Sequence, residues 1–336
     1  MGELTDFDPD APITNGRLFG MPQSRADSNV VVIPVPFDAT ASYGTGSAQA
    51  PTAIRDASAQ LDLYDMRFGE IWRCGIFMEE EPEDIAALSS RTRDLAAPII
   101  EAGGPSKKDA DAIRQIDEAG ERVRSHVRSR VAAVLTEDRF PILLGGEHSV
   151  SLGAIEAAAA AGPLGILQVD AHADLREAYE GFRYSHASVM HNAVTLFPDV
   201  ISLSAIGLRD ISRSEYDFLA THQDVCAFQA DHTIGSGLAE GANISDIMRE
   251  AIQRLPDRVY LTVDIDGLDS SLCPSTGTPV PGGLTWREFD HLIWMLSASG
   301  KAVVGADLVE VVPGPTEWDA NVGARVLYKL CALAKG

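Results

Sequence analysis

The chain has 336 residues, of which 45% are hydrophobic, 7% aromatic and 23% charged, too apolar a mixture for a disordered or fibrous protein. Its 49 acidic residues against 27 basic ones give a formal charge of −22, which opposes binding to nucleic acid or an anionic membrane and suits a cationic small molecule. Cys74, Cys226, Cys273 and Cys331 lack CxxC spacing, which excludes zinc-ribbon and thioredoxin readings. The acidic N-terminus has no basic region followed by an apolar run, and no later stretch approaches about 18 continuous apolar residues. A cytoplasmic location is therefore expected.

In chain order, residues 1–28, rich in Asp, Pro and Gly, read as an arm lying over the surface or against a neighbouring subunit. A single domain over 29–336 is expected to follow, because short β-branched runs there alternate with alanine-rich stretches, the pattern of parallel strands joined by helices. A strand at Val30–Val35 leads to a helix at Ala50–Leu61 and a strand at Ile71–Phe77. The segment 79–108, from EEEPED to EAGGPSKK, reads as an insertion holding one short helix and a Gly-Gly-Pro turn. A helix at Asp109–Thr136 then precedes a strand at Phe140–Leu144, a helix at Ser149–Ala161 and a strand at Leu164–Val169. Strands at Val200–Ile206, Val225–Phe228, Val259–Val263 and Ala302–Val309 alternate with helices at Ser212–Ala220, Ser245–Arg254 and Thr285–Ser299. A helix at Asn321–Ala334 closes the chain. The expected fold class is α/β: three layers, α/β/α, around a mostly parallel sheet of about eight strands.

Groups able to bind metal follow four of these strands directly. FPILL runs into GGEHS and His148; GILQV runs into DAHAD, with Asp170, His172 and Asp174; VYLTV runs into DIDGLD, with Asp264 and Asp266; AVVGADLV runs into Glu310. The carboxyl ends of parallel strands share one edge of the sheet, so these residues can converge although they are far apart in sequence. In DAHAD the polar residues alternate with alanines, which puts Asp, His and Asp on one face of an extended chain. Two imidazoles and four carboxylates suit Mn²⁺, with Ni²⁺, Co²⁺ or Fe²⁺ as alternatives, and lack the thiolates of a structural zinc site. Six ligands exceed the need of one catalytic ion and fit two divalent ions with shared carboxylates, a device that supplies hydroxide near neutral pH. Four aspartates offset the two ions, so hydroxide and Glu310 leave the site negative and ready for one cation.

GGEHS, DAHAD and TVDIDGLDS resemble the three signatures of the ureohydrolase family, the arginase and agmatinase superfamily, as do GTGSAQAPTAIRDAS, STGTPVPGGLT and ADLVEVVP. The resemblance covers about Asn29 to Leu333 and implies an arginase-like fold, manganese, and a homo-oligomer, either trimer or hexamer. It also implies that His148 and Asp174 bind one ion, that His172 and Asp266 bind the other, and that Asp170 and Asp264 bridge. Asp174 would carry a proton from the attacking hydroxide, which bridges the ions, to the leaving amine. Glu310 would hold a guanidinium, whose planar fork a carboxylate matches with two parallel bonds. His186, in RYSHASVMH, corresponds to the family's loop histidine, a proton shuttle or substrate contact. The remaining histidines, among them His126, His191, His222, His232 and His291, have no metal-like spacing and read as surface or packing residues.

The segment LREAYEGFRYSHAS lacks the asparagine- and serine-bearing loop with which arginases recognise an α-amino acid. An agmatine-like guanidine, cleaved to urea and an amine, is therefore the expected substrate. Arg176 or Arg183 could instead bind a carboxylate, as a guanidinobutyrase would need. A formiminoglutamase or another amidine hydrolase of the family is a further alternative, and a non-catalytic subunit retaining the fold is the alternative outside catalysis. The third signature ends DSS in place of Asp-Pro-Ser, which alters a turn near Asp269 but removes no ligand.

Overall fold

The computed structural model describes residues 7–198, 201–222 and 226–335. Along these the chain forms β1 (Val30–Val35), α1 (Ala50–Ala57), β2 (Ile76–Met78), α2 (Glu83–Glu101), α3 (Ala110–Thr136), β3 (Phe140–Gly145), α4 (Ser151–Ala159), β4 (Leu164–Val169) and α5 (Val189–Leu196). It continues with β5 (Ile201–Leu208), α6 (Arg213–Thr221), β6 (Cys226–Ala230), α7 (Asp231–Ala239), α8 (Ile244–Gln253), β7 (Arg258–Asp264), α9 (Trp286–Ser297), β8 (Ala302–Val309) and α10 (Trp318–Cys331). Eight strands make one sheet in the order β2-β1-β3-β8-β7-β4-β5-β6, and every pairing is parallel.

A sheet covered on both faces needs strands that are apolar throughout. Every residue of β1, β3 and β4 is buried. Alternate residues of β1 serve opposite layers. Val30 and Val32 pack with Ile54 of α1, Met248 of α8, Phe289 of α9 and Leu327 of α10, whereas Val31, Ile33 and Val35 pack with Val127 of α3, Ile155 of α4 and Val189 of α5. The chain leaves β3 and re-enters the sheet at β4, with β8 and β7 between them. That puts β3, β8, β7 and β4 side by side at the centre. These are the four strands whose ends carry the candidate ligands.

Several sequence expectations change in detail. The expected strand at Ile71–Phe77 is mostly a 3₁₀ turn over Ile71–Cys74, and Gly75 at φ 72° admits only the short β2 after it. The helix in the 79–108 segment is not short: α2 has 19 residues and buries Ile85, Leu88, Ala96 and Ile99. It also braces the loop after β1, since Ser89 Oγ donates to Asp38 Oδ1 and Arg93 Nη1 donates to the carbonyls of Ala39 and Ala41. Helix α5 was expected only as a helix around His191 with no stated ends, and α7 had no counterpart in the sequence reading. Val200 and Val225, the expected first residues of two strands, lie outside the described residues.

The described part of the N-terminal segment packs on its own chain. Phe19 is fully buried and meets Tyr328 edge to face at 4.9 Å, and its N–H donates to Ser58 Oγ at 2.8 Å. Among the described residues no helix is long and apolar enough to cross a membrane.

Where β1 and β3 deliver their loops to the site, the backbones nearly touch. A Cβ on Gly146 would lie 1.9 Å from the carbonyl oxygen of Phe37. Gly146→Ala should therefore lower unfolding free energy by about 2–3 kcal/mol, as overpacking against backbone does, measured by urea denaturation.

Candidate metal centre

His148 stands in the 3₁₀ turn that follows β3 and is 1% exposed. Its Nε2 lies 2.8 Å from Thr262 Oγ1, and that hydroxyl donates its single proton to Asp307 Oδ1 at 2.6 Å. Thr262 can therefore only accept from the imidazole, which puts a ring proton on Nε2 and makes Nδ1 the nitrogen that a metal ion would bind once it gives up its proton. Nδ1 points at Asp174 Oδ2, Asp170 Oδ2 and Asp264 Oδ2, at 2.9, 3.2 and 3.5 Å. It is buried and makes no hydrogen bond of acceptable geometry.

His172, past the end of β4, directs Nδ1 to Asp266 Oδ2 at 3.0 Å and to Asp170 Oδ1 at 3.7 Å. Two triads result, His148–Asp170–Asp174 and Asp170–His172–Asp266, each with its ligand atoms within 4.8 Å of one another. They share Asp170.

Backbone and side-chain donors aim the carboxylates. Asp170 accepts from His172 N at 2.7 Å and Gln168 Nε2 at 2.8 Å. Asp264 Oδ1 accepts from Asp266 N at 2.9 Å, and Asp266 Oδ1 from Ala171 N at 3.1 Å, leaving the second oxygen of each turned towards a histidine. Asp174 and Glu310 hold positive φ, 51° and 60°, a conformation costing on the order of 1–3 kcal/mol each. Neighbouring bonds over-determine both: Asp174 O accepts from Met190 N and His191 N at the start of α5, and Glu310 N donates to Gly146 O.

The electrostatics express crowding. Burial and the charge of Asp170 push the Asp174 carboxyl up to about 7. Burial, with Asp266 and Asp170, raises Asp264 well above the carboxylate range. Burial opposes charge on the imidazoles, yet Asp170 and Asp174 outweigh it at His148, and Asp170 and Asp266 lift His172 to about 12. Protons held this way are placeholders for cations: bringing in divalent ions satisfies the carboxylates and frees the imidazole lone pairs. The donor set thus fits a pair of hard-to-borderline metal ions, with the His148 Nδ1, buried among carboxylates and without a hydrogen bond, as the most specific sign.

Glu310, at the end of β8, is 9% exposed and accepts from His148 N at 2.8 Å. Burial, then the nearby Glu147, raises its carboxyl well above the usual range. It lines a cavity of about 460 Å³ together with His172, Asp174, Asp264, His186 and Arg176. His186 Nδ1 is 3.5 Å from Thr40 Oγ1, and its Nε2 is 3.4 Å from Ser42 Oγ. Burial and the facing His172 and His148 depress His186 to about 4, so it is neutral near neutral pH. Thr40 in turn is anchored through its N–H and hydroxyl, both donating at 2.8 Å to the fully buried Glu147. A larger hollow of about 810 Å³ beside Asp65, Asp290 and Lys329 has no comparable chemistry, since Lys329 is paired with both acids.

All eight site residues expected from sequence meet at this crevice. Arg183 does not: its guanidinium lies over Tyr184, on the exposed side of its loop. His191 and His222 pack against Phe218, and His291 bonds Ser245. Asp269 closes its turn by accepting from Ser271 N at 3.0 Å, the work a proline would share. Sequence reasoning missed Gln168, Thr262, Asp307 and Glu147. The first three were visible as polar residues inside otherwise apolar strands, a pattern that needs an explanation in any buried strand.

A central parallel sheet whose adjacent strand ends converge on a carboxylate-bridged imidazole cluster is the framework of a dinuclear metal hydrolase. Residues 28–332 match the sequence model of the arginase family, and the chain belongs to that family. The N(1)-aminopropylagmatine ureohydrolase of Synechocystis sp. is 31% identical, over 91% of this chain and 89% of that one. The agmatinase of Halalkalibacterium halodurans is 31% identical over 89% of each. The crystal structure of agmatine ureohydrolase from Thermoplasma volcanium superposes with a TM-score of 0.73 at 28% identity, covering 96% of this chain and 95% of that one.

Thr262→Val keeps the shape of the side chain but removes the acceptor for His148 Nε2–H. Divalent metal affinity should fall by about 10–100-fold, read by calorimetric titration.

Proposed function

We propose that the protein cleaves a short linear guanidino compound to urea and an amine. His148 and Asp174 would hold one metal ion and His172 and Asp266 the other, with Asp170 and Asp264 shared between them. Mn²⁺ suits this oxygen-rich set best, with Ni²⁺, Co²⁺ or Fe²⁺ as substitutes. Once bound, such a pair supplies hydroxide near neutral pH by lowering the pKa of a shared water. The observation that carries the reading is that the two triads share Asp170 while Glu310 lines the same cavity.

Each residue then has a task. Glu310, almost out of water, regains its charge most readily opposite a cation and accepts the guanidinium fork. Asp174, on the wall of the cavity, takes the proton released as the nucleophile attacks the central carbon and passes it to the leaving nitrogen. The C–N bond breaks, and urea and an amine depart. His186, neutral and on the wall of the cavity, moves protons between the cavity and solvent. The relatives' names, agmatinase and aminopropylagmatine ureohydrolase, favour a guanidine lacking arginine's α-amino-acid head.

A cytoplasmic homo-oligomer, trimer or hexamer, belongs to the same reading. Tyr43, Tyr64 and Met66, at 86%, 68% and 98% exposure, are apolar surface that a subunit contact would cover.

Purified enzyme loaded with Mn²⁺ should carry two ions per chain by elemental analysis, and Asp170→Asn should weaken both sites. Uptake should tighten as pH rises, because protons on the raised His148 and His172 compete with metal. A fully loaded sample with a single ion would end the dinuclear assignment.

Glu310→Gln should keep both ions yet lose about 10²-fold or more in kcat/KM for guanidines, because a charge-assisted bond is worth roughly 1.5–3 kcal/mol and a misplaced carbon adds to the loss. Near-wild-type turnover in that variant would remove Glu310 from substrate binding.

A further inference from the structure

Arg209 directly follows β5 and belongs to neither triad, yet its half-buried side chain reaches the segments that carry one of them. Nη2 shares its two N–H groups among Asp266 O, Val280 O and Leu268 O, at 2.5, 3.0 and 3.2 Å. Nη1 donates to Gly207 O at 3.0 Å, and Nε donates to Pro281 O at 3.2 Å. The backbone N–H of the same residue donates to Ala171 O, between Asp170 and His172, at 2.9 Å. All six acceptors are backbone carbonyls.

Their places in the chain give the side chain its meaning. Asp266 and Leu268 belong to the turn that leaves β7 and bears the carboxylate of the second triad. Val280 and Pro281 belong to the loop whose Thr278, Pro279 and Val280 line the cavity. Thr278 Oγ1 donates to Asp266 Oδ2 at 3.4 Å, and that oxygen lies 3.0 Å from His172 Nδ1. The guanidinium thus reaches Asp266 by two routes, through its own carbonyl and through the loop of Thr278. Nothing in the contact is loose: a Cβ on Gly283 would lie 2.9 Å from Nη2 and 2.6 Å from Leu268 O. Carbonyls drawn together this way repel one another, and a planar cation with N–H groups along several edges satisfies them at once. A lysine, with all its donors on one nitrogen, does not span them. None of the five carbonyls that the side chain binds belongs to His148, Asp170 or Asp174.

We propose that Arg209 is a positioning residue for the metal site of His172 and Asp266. Its guanidinium staples the Asp266 turn to the cavity wall at Thr278–Val280 and so sets the affinity for one ion of the pair. The proposal rests on the dinuclear reading and adds an asymmetry to it, because the ion at His148 and Asp174 is held by elements that the staple does not touch.

The test titrates metal-free protein with Mn²⁺, following binding by calorimetry and the pairing of the ions by electron paramagnetic resonance. Wild type should bind two ions and give the signal of a coupled pair. Arg209→Lys, folded by circular dichroism, should weaken one ion by about tenfold or more and leave the other nearly unchanged, as loss of a group supporting one ligand does. At intermediate loading it should show isolated Mn²⁺ in place of the pair. A second measurement uses the wild-type chain alone: Mn²⁺ should slow hydrogen exchange at the amides of Leu268, Asp269 and Leu284, because opening the stapled turn breaks the site. Should the variant not fold, the exchange measurement decides. Wild-type affinity for both ions in Arg209→Lys, an equal loss of both, or exchange that Mn²⁺ does not slow overturns the staple while the dinuclear reading stands. A wild-type chain that binds fewer than two ions ends the dinuclear reading and the staple with it.

Discussion

Like charges buried together repel, and the centre of this protein is built around that repulsion. Asp170, Asp174, Asp264 and Asp266 are each at most 5% exposed, grouped about two imidazoles within a few ångströms. No folded chain gains stability from such an arrangement by itself. The scaffold therefore has to hold the groups in place against their own electrostatics until cations arrive. Four adjacent parallel strands, covered on both faces, give that rigidity, because moving one end means disrupting two ladders and two packed helix layers.

The same demand explains what surrounds the ligands. Asp307, fully buried, accepts from Thr262 Oγ1 and Val263 N, so its charge fixes the threonine hydroxyl, which fixes the His148 tautomer. A buried acid thereby acts on a metal site it does not touch. Asp174 and Glu310 are strained in backbone, and both are pinned by bonds to other elements: the first to α5, the second to the loop after β3. Strain at these two points and order elsewhere are two sides of one arrangement.

Much of this was legible in the sequence because it depends on local alternation. The strands β1, β4 and β8 matched residue for residue, and the ligands were read from their place just after strand ends. What escaped was of two kinds. Helix α7, DHTIGSGLA, carries two glycines, which weaken a helical signal, and α5 was read only as a helix around His191. Thr262 and Asp307 act through pairing between β7 and β8, where they are register partners. Register is a property of two strands together, and one sequence read segment by segment does not state it. Arg176 was noticed as a candidate, but only the geometry separated it from Arg183.

The bonds from Ser89 and Arg93 of α2 to the loop at 38–41 give the segment 79–108 a different character from the insertion with one short helix that its composition suggested. That loop carries Thr40, and Thr40 contacts His186. The helix is a buttress for the wall of the reaction chamber, and its length and register are bound to the chemistry. Freedom to vary lies instead at the tip beyond it, where Gly103 and Gly104 border open space. Relatives of this chain could gain or lose residues at that tip without disturbing turnover, whereas a deletion one turn earlier would reach the active centre.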